Sequence, residues 1–245
     1  MPKEDPRIAR FVERQMRNWE IGRQHTVVKN AGEPAQAVQF YIAISRELGS
    51  EGEKVAECLS QCLGWPKYDR EILDYMAEKE EVRRRVYEML DERQRTWLQQ
   101  MLDLLEPLGT DASRAREEYF RRLTGAVIAI AQKQHAIFVG RGVNFILPRH
   151  RGLSVRIVAP FKDRLKRVME MENLDERAAR RRIEEVEFQR AEFLVRYFGH
   201  RPYDPRRYDM MLNAGTIAVA DMCCLVRLAA ERKLGKDLVP KKVLA

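Results

Sequence analysis

Apolar positions along the chain change their period several times, and each change marks an element. Over residues 6–22, Ile8, Phe11, Val12, Met16 and Trp19 recur at near-helical spacing among charged residues, which predicts an amphipathic helix. The stretch to about residue 36 holds Gly, Asn and Pro without periodicity and predicts a linker. Val38-Gln39-Phe40-Tyr41-Ile42-Ala43-Ile44 is a short β-rich apolar run, so a strand is expected there. A loop containing Gly49 and Gly52 follows. Val55, Ala56, Leu59, Cys62 and Leu63 then share one helical face, and Gly64 closes that helix. The pattern is strand, glycine loop, helix.

Trp65 to Asp69 suits a short strand, with a helix from about Arg70. Residues 80–118 are charged and helical in pattern. Their apolar stripe of Val86, Met89, Leu90, Trp97, Leu98, Met101, Leu102 and Leu105 suits packing on the body or a helix of a second copy, so a homodimer stays open. Helix continues over 119–133. Ala136–Val139 is a strand running into glycines, and Ser154–Ala159 is a third strand, followed by a basic helix from near Lys162. Residues 175–197 are an Arg/Glu-rich helix pair or one long helix. Met210–Asn213 is a last short strand before an apolar helix over 216–232. Strands alternating with helices need crossover connections and so a parallel sheet. The expected fold is α/β, a doubly wound, three-layer domain over residues 38–245, with residues 1–37 as a helical arm and linker.

Composition narrows the function classes. Among 245 residues, 45 Lys+Arg stand against 37 Asp+Glu, a formal charge of +8, and 45% of positions are hydrophobic. That supports a sizeable core. No apolar run approaches the ~20 residues that span a bilayer, and the first residues lack the apolar stretch of a secretory signal. No membrane partner and a cytoplasmic location are therefore expected. Most of the basic residues are arginine, which suits bidentate recognition of phosphate or carboxylate. They are interleaved with glutamates, which argues against a nucleic-acid-binding face. Cys58 and Cys62 are four apart, Cys223 and Cys224 are adjacent, and the four His residues are scattered. Neither cysteine pair has zinc half-site spacing, so reduced thiols and no metal site are expected.

Ligands of open α/β sheets bind at the carboxyl ends of the strands. Loops 45–54, 140–144 and 159–162 fall there. Gly49 and Gly52 allow close backbone approach, and the following helix offers its N–H groups and dipole to an anion. The loop does not match G-x-x-x-x-G-K-[ST].

The segments I-S-R-E-L-G-S-E-G-E-K-V-A (44–56), L-G-W-P-K-Y-D-R-E-I-L (63–73), I-F-V-G-R-G (137–142), V-R-I-V-A-P-F-K-D-R-L-K-R-V (155–168), E-F-Q-R-A-E-F (187–193) and Y-D-M-M-L-N (208–213) occur in the order found in one family. The chain over about 38–232 resembles the cytidylate kinase-like family, a branch of the P-loop nucleoside monophosphate kinases. The resemblance implies phosphoryl transfer from ATP, assisted by Mg²⁺, to a pyrimidine nucleotide such as CMP. It implies that Ser45, Arg46, Gly49, Ser50, Gly52 and Lys54 cradle the donor phosphates. Asp69 and Arg70 would stand at the acceptor side, and Arg141 would meet the acceptor. Glu187 would order the acceptor site, and Arg190 would bridge both phosphates. Arg177, Arg181 and Arg182 would lie in a lid-like region. Arg190, Arg141 and Lys54 are the implied catalytic cations.

The loop departs from the family pattern. Aligned on Gly49, the usual lysine position falls on Gly52 and the hydroxyl position on Lys54. The branch's G-S-G-G-R-E has become Gly49-Ser50-Glu51-Gly52-Glu53-Lys54. Two carboxylates there repel a triphosphate unless they turn away or bind Mg²⁺. A second reading, a catalytically degenerate P-loop protein serving as nucleotide sensor or interaction module, rests on these glutamates, the helical arm and the long charged helices.

Overall fold

The structure, a computed structural model, describes residues 5–26, 38–88, 111–199 and 204–235, together with Leu90, Glu92, Arg95, Thr96 and Gln99. The expected linker before residue 38, and Met89, Trp97, Leu98, Met101, Leu102 and Leu105 of the apolar stripe, lie outside the described residues.

In chain order the first elements are α1 (Pro6–Thr26), β1 (Tyr41–Arg46), α2 (Gly52–Leu63), β2 (Lys67–Tyr68), α3 (Arg70–Glu78), α4 (Glu80–Glu88) and α5 (Asp111–Lys133). There follow β3 (Ala136–Val139), α6 (Val143–Ile146), β4 (Gly152–Val158), α7 (Phe161–Glu172), α8 (Glu176–Phe198), β5 (Met210–Asn213) and α9 (Val219–Leu234). By contact they group into two units: Met1–Gln39 with Asp69–Gln134, and Phe40–Tyr68 with His135–Ala245.

The first unit is helical. Val12, Met16 and Trp19 of α1 are buried, the face that the periodicity marks out, as are Ile72, Leu73, Met76 and Ala77 of α3. Two polar ties accompany this packing. Arg85 of α4 pairs with Glu13 of α1 at 2.8 Å, and the Tyr119 hydroxyl donates to Asp74 at 2.6 Å.

The second unit is built on one sheet of five parallel strands in the order β2-β3-β1-β4-β5. β1 is central, with Ile42 opposite Ile137 on one side and Leu153 on the other. Ile42, Ile44, Ile137, Val139, Leu153, Val155 and Ile157 point to one face and form a core with Val55, Ala56 and Leu59 of α2 and Met222, Cys223 and Val226 of α9. On the other face, Phe138 meets the rings of Tyr41 and Tyr68. Because period-2 alternation sorts side chains by face, Ser45 and Arg156 leave the apolar core for the second face.

Strand pairing and caps decide where elements end. β1 runs from Tyr41 through Arg46, beyond its apolar run, because Ser45 and Arg46 pair with Arg156 and Ile157 of β4. Residues 176–198 form one helix, capped by Asp175, whose carboxylate accepts the Ala178 N–H at 2.7 Å, and ended by Gly199 at φ +62°.

Candidate active site

From β1 the chain moves outward to β2, returns to β3 on one side of β1, and then crosses to β4 and β5 on the other. The carboxyl end of β1 is therefore where an open α/β sheet offers its crevice. Glu47–Glu51 connects β1 to α2 here. Its shape depends on two glycines. Gly49 has φ +78°, and a Cβ on it would lie 2.7 Å from the Arg164 carbonyl oxygen; a Cβ on Gly52 would lie 2.5 Å from the Arg46 Cβ. Glu51 takes a left-handed conformation (φ 62°) at the helix start without a side-chain cap. Among the described residues, the N–H groups of Gly49, Glu51, Gly52 and Glu53 make no hydrogen bond, and such a run of backbone donors at a helix N-terminus suits an anion.

Aligned on Gly49, the lysine position is Gly52, the first residue of α2, and the hydroxyl position is Lys54; the left-handed Glu51 stands just before the helix.

Each loop carboxylate has a cation. Glu53 accepts from Arg46 Nε at 2.9 Å, and Glu51 pairs with Lys54 at 2.7 Å and Arg167 at 3.6 Å. Arg167 also donates to the carbonyls of Gly49 and Ala214, which ties the loop to α7 and to the end of β5. Glu47 turns inward, accepts the Ala159 N–H at 3.2 Å and faces Arg156 at 3.7 Å and Arg164 at 3.4 Å. Arg164 reaches Glu187 at 3.0 Å, and Glu187 also accepts the Leu48 N–H at 3.1 Å. Arg190 donates to the Arg46 carbonyl at 2.9 Å. Ser45, Arg46, Arg156, Glu187, Arg190, Ala191 and Leu194 enclose a cavity of about 30 Å³, room for a water or two and far less than a nucleotide.

The parallel sheet, the glycine loop after its central strand and the arginine cluster at the strand ends all fall within the residues that a family comparison matches. The model of the cytidylate kinase-like family fits residues 41–216. The chain belongs to the cytidylate kinase-like family. A crystal structure of an uncharacterized protein from Eubacterium ventriosum is similar in fold, with TM-score 0.55 and 24% identity over 79% of this chain and 99% of that one. A Thermus thermophilus protein matches with TM-score 0.41 and 22% identity over 80% and 98% of the two chains. Shikimate kinase from Acinetobacter baumannii, in complex with shikimate, matches with TM-score 0.40 and 14% identity over 82% and 99%. No curated protein matches the chain.

The residues singled out by the cytidylate kinase-like resemblance are only partly brought together. Ser45, Arg46, Gly49, Gly52, Glu187 and Arg190 converge at the end of β1. Ser50 is fully buried and its hydroxyl donates to the Glu47 carbonyl at 2.9 Å, a turn-stabilising role. Lys54 is tied to Glu51. Arg141, left-handed at φ 52° between Gly140 and Gly142, lies over the Phe193 ring of α8 at 4.9 Å. Asp69 and Arg70 belong to the helical unit, where Asp69 caps α3 through the Ile72 N–H at 3.1 Å and Arg70 pairs with Asp74 at 3.6 Å. Arg177, Arg181 and Arg182 are exposed, eight or more residues before Arg190 on α8, and Arg182 pairs with Glu172 of α7 at 3.1 Å.

Sequence reading passed over Glu47, Arg156, Arg164 and Arg167. A signal existed for one of them: Arg156 interrupts an otherwise apolar strand, and an arginine inside a buried strand needs partners.

Proposed function

We propose that the chain is a nucleoside monophosphate kinase-like phosphotransferase that moves a phosphoryl group from ATP to a pyrimidine nucleotide such as CMP. The observation that carries this reading is the set of free loop N–H groups at the start of α2, facing a strand end supplied with arginines. Phosphoryl transfer asks a protein for positioning and charge neutralisation more than for covalent chemistry. In this chain the backbone donors of Gly49, Glu51, Gly52 and Glu53 hold the donor phosphates. Arg190, anchored on the Arg46 carbonyl, supplies positive charge beside the transferring group. Arg141, held over Phe193, meets the acceptor. Glu187 fixes Arg164 and the Leu48 N–H, so the loop keeps its shape while charge shifts.

Lys54, at the hydroxyl position, cannot ligate a cation; Glu53 would offer an oxygen donor to Mg²⁺ carried by the triphosphate, and the ion would supply neutralisation of phosphate charge. A second reading is favoured by one observation: Gly52 stands at the lysine position, and Glu53 beside it engages Arg46. This arrangement suits a protein that binds nucleotide without transferring phosphate.

The test is a nucleotide-binding titration followed by a coupled ADP-release assay with a panel of monophosphate acceptors. Arg190→Ala is expected to lower kcat by about 100-fold or more with an unchanged circular dichroism spectrum. Binding of ATP without any ADP release in the wild type selects the second reading. No detectable ATP or CMP binding at millimolar ligand overturns both.

A further inference from the structure

Cys58 and Cys62 lie four residues apart on α2, and that spacing stacks them on one face of the helix. The face is the one that meets α9, where Cys223 is buried. The three sulfurs lie within 4.8 Å of one another, and all three cysteines are free thiols. A metal ion bonded to sulfur at about 2.3 Å keeps three such ligands about 4 Å apart. Side-chain rotation therefore suffices to close the set around one ion.

We propose that Cys58, Cys62 and Cys223 form a binding site for one soft, thiophilic metal ion of the Cu(I) class. Ligand type selects the ion. Three sulfurs with no nitrogen or oxygen donor in the group match a soft ion and offer nothing to Mg²⁺ or Ca²⁺. Structural Zn²⁺ takes four ligands in a tetrahedron, and the group among the described residues holds three. Cu(I), a d¹⁰ ion without that demand, is satisfied by three sulfurs.

The surroundings suit the same assignment. Cys58 and Cys62 are half-buried and give access from solvent, while Leu59, Met222 and Val226 supply an apolar shell. Uptake transfers no electron: each thiol that bonds the ion gives its proton to water. The bound ion would pin α2, the helix behind the glycine loop, to α9. The sequence hides this site because two of its three ligands are a four-residue spacing on one helix, and the third is supplied from 161 residues further along by packing alone.

The experiment titrates the reduced full chain, under anaerobic conditions, with Cu(I) in competition with the chromophoric chelator bicinchoninate. Wild type is expected to withdraw one equivalent of Cu(I) and to gain ultraviolet thiolate-to-copper absorption. Cys58→Ala and Cys62→Ala should each weaken uptake at least tenfold, while Cys224→Ala should leave it unchanged. Cys223→Ala should act like the first two. If that buried substitution unfolds the chain, the two half-buried positions still decide the matter, with folding checked by circular dichroism. The proposal is overturned if wild type withdraws no Cu(I), or if uptake is the same with Cys58 and Cys62 replaced, or if Cys224→Ala abolishes it. None of these readouts depends on kinase activity.

Discussion

Arg164 has a side chain only 10% exposed and faces two carboxylates at once, Glu47 at 3.4 Å and Glu187 at 3.0 Å. Removing one partner of a buried ion pair leaves the other charge uncompensated, which costs about 3–5 kcal/mol. Arg164→Ala is therefore expected to destabilise the chain by about 3 kcal/mol in urea unfolding, well beyond the effect of Arg182→Ala, whose pair with Glu172 is exposed. The contrast separates arginines that hold the site from those that decorate a helix. Sequence spacing could not make that separation, because Arg164 and Arg182 stand in equally charged helical segments. Only the partners differ, and Glu47 is 117 residues away from Arg164 along the chain.

At the scale of elements, β3 enters the sheet at His135 and Ala136. The His135 Nδ1 accepts the Phe40 N–H at 3.0 Å, and the ring stacks on Trp65 at 4.9 Å. Burial, with a smaller push from Arg151, holds its pKa below the ordinary 6.5. The unfolded chain therefore takes up the proton more readily than the folded one. This contribution to stability is complete above the ordinary histidine value and is lost as pH falls through it, until the folded imidazole also protonates. Thermal melting between about pH 7.5 and 5.5 is expected to show a fall of about 2 °C or more from this residue. His135→Gln, which can still accept the Phe40 N–H, should reduce the fall. Elements themselves were largely legible from periodicity: the β5 strand and the start of α3 match it, α8 is the one long helix of the two alternatives, and β1 extends beyond its apolar run because strand pairing decides its end.

For the molecule as a whole, the +8 charge is dispersed through ion pairs, such as Arg46–Glu53, Lys54–Glu51 and Arg85–Glu13, and no helix among the described residues is long and apolar enough to cross a membrane. Binding to generic duplex DNA is expected to be weak at physiological salt. A fluorescence anisotropy titration checks this, and strong binding that falls steeply with salt would restore a nucleic-acid role. Alternation of apolar strands and amphipathic helices determined the parallel α/β sheet, and the residue order from 44 to 213 determined the family. These follow from the chain alone because faces, turns and loop glycines are set by neighbours a few positions away. Only the tertiary structure decided that Glu53 takes Arg46 as its partner, that Glu47, Arg156 and Arg164 form one buried network, and that Cys58 and Cys62 of α2 meet Cys223 of α9. Those are contacts between segments that the sheet brings together, and local pattern carries no record of which side chain will be opposite which.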